Sequence, residues 1–270
     1  MMLKYTSKLS KVILMALLLC FFNASNSYCA QQNIIDNDFS SDSFDDFADF
    51  NNFNLDVGQN LEIYDPLEKV NRKIYKFNDV TDRYFFEYIA RGYRRSIPQK
   101  ARISIRNFIS NLASPFTIFN SILQGSAENT MSSFSAFLIN STIGLLGFID
   151  VASAKDIDYN KEDFGQTLAS YGVGPGPYLV IPFLGPSNLR DFTGFAARIA
   201  FDVISIESVT INGDNLVSDD AFLALTVISL IDKREGLLNM VSGLRENSFD
   251  PYATARSAFM QNRNAKINNK

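Results

Sequence analysis

The sequence predicts an all-α domain behind an export leader and an acidic linker. Three observations carry that prediction. Apolar residues recur at helical spacing through most of residues 65–270. A cap residue followed by proline, the device that opens a helix, stands at Asp65-Pro66, Ser114-Pro115 and Asp250-Pro251. Period-2 alternation is scarce, so little or no sheet is expected.

Residues 1–30 stand apart from the fold. Lys4, Lys8 and Lys11 form a positive region, Val12–Phe22 an apolar stretch, and small residues follow near Ser27–Ala30. This is the pattern of a secretory signal peptide. Its processing is open between lipidation of Cys29 and ordinary cleavage after it, with Ser27 at the −3 position. A lipoprotein signal places Leu three residues before the modified Cys, whereas Cys29 follows Asn26, Ser27 and Tyr28, and Cys20 follows three leucines. Both cysteines lie in this leader, so the exported chain keeps at most one and forms no internal disulfide. The chain has no histidine, which removes Ser-His-Asp and Cys-His catalysis and the commonest zinc-ligand sets. No metal and no cofactor are expected.

Residues 31–64 carry seven aspartates and Glu62 with no Lys or Arg, and Phe44, Phe47, Phe50 and Phe53 recur every three residues. Charge density and low complexity predict a disordered spacer, with a partner-docking motif as the alternative. The formal net charge of −4 divides into +3 for the leader, −8 for the spacer and +1 for residues 65–270. That remainder is long enough to bury one core.

The domain begins at Asp65-Pro66-Leu67-Glu68, which supplies an N-cap acceptor, proline at N1 and a carboxylate at N3 for a capping box. Leu67, Val70, Ile74 and Phe77 then predict the apolar face of a helix. A basic block follows, Arg91, Arg94, Arg95, Lys100, Arg102 and Arg106, with no acidic residue between Glu87 and Glu128. An exported protein rarely meets nucleic acid, so lipid phosphates or an acidic partner surface are the better match, and a solvated face is the plain alternative. Ser114-Pro115 predicts a new short helix, Phe116–Leu123, ended by Gly125.

Met131–Ile149 contains no charged residue. Its length only just allows a bilayer span of roughly 20 residues. Ser132, Ser133, Ser135, Asn140, Ser141 and Thr142 argue against a span, as do Gly144 and Gly147. Ala127, Met131, Phe134 and Leu138 form one helical stripe, and Phe137 and Ile139 widen the apolar surface beyond it. A buried core helix and a segment lying in a membrane with a polar side both fit this pattern. After a charged connector, Lys155–Asp163, the segment Tyr171-Gly-Val-Gly-Pro-Gly-Pro-Tyr178 leads into Leu179–Pro186. Pro175 and Pro177 lack the N–H groups that a phosphate-cradling loop needs, so a nucleotide site is excluded. Extended pieces around a hinge at Gly172, Gly174 and Gly176 remain. Three more helices are expected. Ser187 caps Leu189–Ile204, with Phe192, Phe195, Ile199 and Val203 on one side. Ser218 opens Ala221–Ile231. Asp250-Pro251 starts the last, with Tyr252, Ala255 and Phe259 inward and Arg256, Arg263 and Lys266 outward.

With these residues in view, the chain resembles the MlaA/VacJ family of outer-membrane proteins. The matching stretches are DPLEKVNRKIYKFND at Asp65–Asp79, FLINSTIGLLGFIDVA at Phe137–Ala152, FGQTLASYGVGPGPYLVIPFLGPSNLRD at Phe164–Asp191 and DPYATARSAFMQNR at Asp250–Arg263. The resemblance implies amphipathic helices forming a ring in the inner leaflet of the outer membrane, around an amphipathic channel. It implies removal of phospholipids mislocalised in the outer leaflet, beside a trimeric porin, and their delivery to a periplasmic lipid carrier. It supplies no catalytic residues. A ring in one leaflet needs apolar surface outside and a part-polar lumen. The candidates for those surfaces are Phe134, Phe137, Leu138, Asn140, Ser141, Thr142, Leu145, Leu146 and Phe148. Two other readings are a structural adaptor for porin or peptidoglycan, and a lipid- or glycan-cleaving enzyme using carboxylates such as Asp156 and Asp158.

Overall fold

The computed structural model describes residues 63–208, 210–211, 214–215 and 219–268. The leader with Cys29, the acidic segment as far as residue 62, Ser218 and the side chain of Val203 lie outside these. The described chain is mainly helical, as the sequence predicts. Ile63 and Tyr64, assigned above to the spacer, already belong to the fold. Ile63 packs on the Tyr178–Val180–Tyr252 cluster, and the Tyr64 carbonyl accepts from the Tyr178 N–H at 3.0 Å.

Helix α1 (Glu68–Thr81) runs through a π-helical turn (Asp82–Phe86) into α2 (Glu87–Ser96). Asp65 does not cap it: no side chain caps α1. Its carboxylate instead accepts from Asn71 Nδ2 at 2.8 Å, from the Tyr252 hydroxyl and from Arg256 at 2.7 Å. A local cap has yielded to partners on the far C-terminal helix. Pro98 precedes α3, which runs unbroken from Gln99 to Leu123 with Pro115 inside it, not as two helices. Packing along α4 (Ala127–Thr142) holds α3 together across a residue that on its own disfavours a helix by about 3 kcal/mol.

A short 3-10 turn (Ser153–Lys155) leads to α5 (Phe164–Ser170), whose N-cap is Asp163, accepting from the Gln166 N–H at 2.9 Å. Strands β1 (Tyr178–Ile181) and β2 (Gly185–Asn188) pair antiparallel, with Tyr178 opposite Asn188 and Ile181 opposite Gly185. Helix α6 (Leu189–Ser208) follows, capped by Asn188 and not Ser187: Asn188 Oδ1 accepts the Asp191 N–H at 2.8 Å. Helices α5 and α6 cross at Gly165 and Gly194. A Cβ on Gly194 would stand 2.6 Å from the Gly165 nitrogen.

A two-residue ladder, β3 (Thr210–Ile211) with β4 (Asp214–Asn215), precedes α7 (Asp219–Gly236), α8 (Leu238–Asn247) and α9 (Pro251–Asn268). Sequence reading did not find α8, yet it carries much of the core: Leu237, Met240, Val241 and Leu244 pack with Ala255 and Ala258. Their i, i+3, i+4, i+7 spacing is the signal that would have located it. Helix α9 opens as predicted, with Asp250 Oδ1 accepting the Tyr252 N–H at 3.1 Å. Two of its arginines face inward, against expectation. Arg256 pairs with Asp65, and Arg263 pairs with Asp163 and Asp191.

Candidate functional site

The α3–α4 hairpin is built with its polarity reversed. The buried residues of α3 are Ser110, Asn111, Ser114, Thr117, Asn120 and Ser121, with Phe116 the one large apolar member. Those of α4 are Ser133 and Ala136. Leu112, Phe119 and Ile122 of α3 and Met131, Phe134 and Leu138 of α4 are exposed. The predicted stripe of α4 therefore faces outward. The interior polar groups are satisfied within the protein. Asn120 Nδ2 donates to the Phe116 carbonyl at 2.7 Å, Thr167 Oγ1 to Asn120 Oδ1 at 2.8 Å, and Asn129 Nδ2 to Ser121 Oγ at 2.8 Å. Buried polar groups need such partners, because each left unmatched costs about 1–3 kcal/mol.

The turn after α4 extends the apolar face. Ile143, Leu145, Leu146, Phe148 and Ile149 are all exposed, Leu145 and Leu146 at 64% and 63%. Both leucines take left-handed backbone, with φ of 53° and 62°. Non-glycine residues hold that conformation at a cost of about 1–2 kcal/mol each. Gly147 is required twice over. Its φ is +95°, and an added Cβ would lie 2.4 Å from Asn111 Cβ. Asn111 Nδ2 ties the turn down by donating to Ser141 Oγ at 2.9 Å and to the Leu146 carbonyl at 3.2 Å. Strain and large exposed side chains thus coincide at one tip.

The candidate residues separate into two groups. Phe134, Leu138, Leu145, Leu146 and Phe148 share the outward apolar belt, while Phe137 is half-buried. Phe148 also stacks on Phe108 at 4.6 Å. The polar candidates bind protein. Asn140 Oδ1 accepts the Val151 and Ala152 N–H groups at 2.9 Å each, and its Nδ2 donates to Asp150 at 2.9 Å. Ser141 accepts from Asn111, and Thr142 Oγ1 donates to the Leu138 carbonyl at 2.7 Å. Their contacts secure the turn; no lumen position follows from them.

The glycine segment is tied to the start of α6. Gly172 and Gly176 have positive φ, 84° and 69°; Gly174 does not, and an added Cβ there would meet nothing within 4 Å. The Pro175 and Pro177 carbonyls accept the Arg190 and Leu189 N–H groups at 3.2 Å, using donors at the start of α6. On the other edge of β1, two asparagines of α1 stand in for a third strand. Asn71 Nδ2 donates to the Tyr178 carbonyl at 3.1 Å while its Oδ1 accepts the Val180 N–H at 2.9 Å. Asn78 repeats this two turns on, with the Ile181 carbonyl at 3.0 Å and the Phe183 N–H at 2.9 Å. A carboxamide offers the donor and acceptor of a peptide group, so it can pair with a strand edge. Sequence reading singled out neither asparagine for this role. Their seven-residue spacing on one helix face was the available sign.

The profile of the MlaA lipoprotein family matches residues 63–266. The chain belongs to this family. A protein of Rickettsia typhi is 35% identical over 261 residues, 95% of this chain and 94% of its own. The intermembrane phospholipid transport system lipoprotein MlaA of Escherichia coli is 36% identical over 201 residues, 73% of this chain and 76% of its own. A solved structure from work on the structural basis for maintenance of bacterial outer membrane lipid asymmetry superposes with a TM-score of 0.64. It is 34% identical and covers 76% of this chain and 99% of that one.

Within this MlaA-family domain half of the basic block is engaged internally. Arg94 Nε donates to Glu235 at 2.6 Å, and Arg102 pairs with the same carboxylate. Arg106 meets Asp232 at 2.9 Å, and the Tyr93 hydroxyl reaches the same residue at 3.2 Å. Burial and the Asp232 carboxylate both raise the Tyr93 pKa, so this phenol stays a donor. Arg91 pairs with Glu87 one turn back. Only Arg95 and Lys100 of the block are exposed without an ion pair among the described residues. The expected headgroup or partner surface is therefore corrected for Arg94, Arg102 and Arg106, which fasten α2 and α3 to α7. Beside them, Asp82 in the π-turn is fully buried between Arg234 at 2.6 Å and Arg245 at 2.7 Å, and Arg245 also reaches Asp79 and Glu87. Asp156 and Asp158 are exposed on the connector.

Proposed function

We infer that this protein carries phospholipid between membranes and does no covalent chemistry on it. It removes phospholipids mislocalised in the outer leaflet of the outer membrane and passes them to a periplasmic carrier, so maintaining lipid asymmetry. The observation that carries this reading is the reversed polarity of α3, α4 and the 143–149 turn. Water would penalise such a surface, since each large side chain left exposed forgoes about 1.5–3 kcal/mol of burial. Acyl chains remove that penalty. Among the described residues no helix is long and apolar enough to cross a membrane. A domain that is apolar outside without a spanning helix fits a seat in one leaflet, and a ring of such helices in the inner leaflet is the arrangement we propose. An amphipathic channel inside it, partnership with a trimeric porin and export through residues 1–30 complete the proposal.

Lowering the barrier for a headgroup needs only hydroxyls, amides and fixed charges along its path. No bond is made or broken. The test is expression in a Gram-negative bacterium lacking its own MlaA. Outer-leaflet phospholipid is expected to fall to the level of the intact strain. Protein present in the outer membrane with unchanged surface phospholipid would overturn the reading. Lysophospholipid or free fatty acid released from vesicles by the purified protein would favour an enzyme instead.

A further inference from the structure

With Arg94, Arg102 and Arg106 paired to acidic residues of α7, and beside the exposed Arg95 and Lys100, further unpaired positive charge of the N-terminal helices lies on α1. Lys69, Lys73 and Lys76 lie at i, i+4 and i+7 on α1 and are all exposed. At 100° per residue they fall within about 60° of one another around the helix. None of the three has an ion pair among the described residues. The acidic neighbours are already engaged: Glu68 with Arg72, and Asp79 with Arg83 and Arg245. Like charges at i, i+4 oppose helix formation, so the row is an uncompensated load on α1. Alongside it, Val70 and Phe77 are exposed at 52% and 48%, and Val80, exposed at 45%, continues in line with the lysines one turn on. The opposite side of α1 is anchored in the protein by Asn71 and Asn78. The helix thus presents a cationic row beside an apolar row, both pointing away from the core. Farther along the same helical run, Tyr84 and Tyr88 are also exposed, the residue type that settles at headgroup depth.

We propose that the outer face of α1 is a binding surface for anionic phospholipid headgroups, with Lys69, Lys73 and Lys76 on the phosphates and Val70, Phe77 and Val80 among the acyl chains. The occupant follows from charge and polarity together. A soluble anion would engage the lysines and leave the apolar row in water, whereas an anionic lipid surface covers both. The inference rests on the membrane reading above and adds to it a preference for lipid charge.

The experiment is flotation of the full chain with vesicles of zwitterionic lipid alone and with about one third anionic phospholipid. The unmodified protein is expected to bind anionic vesicles about a hundredfold more tightly, since each Lys near such a surface contributes roughly fivefold. Raising salt should erase the difference. The triple variant Lys69→Gln/Lys73→Gln/Lys76→Gln is expected to keep its binding to zwitterionic vesicles and lose the anionic preference. Arg95→Gln/Lys100→Gln, removing the exposed cations of the basic block, is expected to keep that preference. A triple variant that still prefers anionic vesicles overturns the proposal. So does loss of the preference in a variant lacking residues 31–62 alone, which would place the determinant outside α1. Failure of the unmodified protein to bind either kind of vesicle would instead refute the membrane reading itself.

Discussion

Replacing Asn71 tests whether the β1–β2 hairpin is held by a side chain acting as a strand. Asn71→Leu keeps the helix and nearly the volume but removes the donor to the Tyr178 carbonyl and the acceptor for the Val180 N–H. Both backbone groups point away from β2. Two buried backbone groups orphaned at about 1–3 kcal/mol each give a loss of roughly 2–6 kcal/mol. For a domain of this size that lowers Tm by about 4–24 °C, read by circular dichroism in detergent. Asn71→Asp is the sharper variant. It is isosteric and keeps the acceptor for Val180, but it turns a carboxylate toward the Tyr178 carbonyl and the Asp65 carboxylate, which now accepts from Asn71 at 2.8 Å. It should destabilise at least as much as Asn71→Leu. An Asn71→Asp protein melting with the unmodified one would refute the strand-mimic account, because packing alone predicts that variant to be harmless.

Three further outcomes are expected. Gly147→Ala forces a Cβ onto Asn111 at a left-handed backbone position, so it should lose about 2–4 kcal/mol and lower the amount of protein in the membrane fraction. Gly174→Val has open space and ordinary backbone and should leave the protein level unchanged, whereas Gly176→Val, at φ +69° and against Leu189, should lower it. Measuring outer-leaflet phospholipid in the same cells checks the hinge proposal, which needs altered lipid exposure at a normal protein level. On the pH axis, hydrogen bonds from Arg72 hold the Asp250 carboxyl below its ordinary value, against the opposing effect of burial. A depressed folded-state pKa stabilises fully above the unfolded pKa of about 3.9, and that contribution is lost as pH falls through the folded value. Acid unfolding of Arg72→Met should therefore show a shallower dependence on pH in this range.

Elements whose signals are local were legible in the sequence. Asp250-Pro251 opens α9 because its cap partners are its own next residues, Tyr252 and Ala253. Asp65-Pro66 carries the same letters and was misread, because Tyr252 and Arg256, nearly two hundred positions away, take its carboxylate. Arg94, Arg102 and Arg106 were misread for the same reason. The carboxylates that neutralise them stand on α7, and a run of like charge gives no sign of a distant partner.

What the sequence left open was direction, and it bears most on function. A helical stripe of Leu67, Val70 and Phe77, or of Met131, Phe134 and Leu138, predicts a face without saying what lies against it. In water the apolar face turns inward; here these six residues are exposed, Ile74 of the predicted α1 face packs on the Tyr178–Val180–Tyr252 cluster, and Asn71, Asn78 and Ser133 sit inside. Periodicity is blind to this inversion, since reversing a helix leaves its period unchanged. The asymmetry that discriminates is in the polar face. Lys and Glu opposite an apolar stripe belong to a helix half in water, because such groups are almost never buried unpaired. Short Ser, Thr and Asn opposite the same stripe can be buried, because each finds a partner, the backbone one turn back for Ser114 and Ser121 and the Ser141 hydroxyl of the next helix for Asn111. In α3 from Ser110 onward and throughout Met131–Ile149 the polar residues are almost all of the short kind. Read for the length of its polar side chains and not only for its period, that stretch already describes a hairpin that can bury its polar side and expose its apolar one.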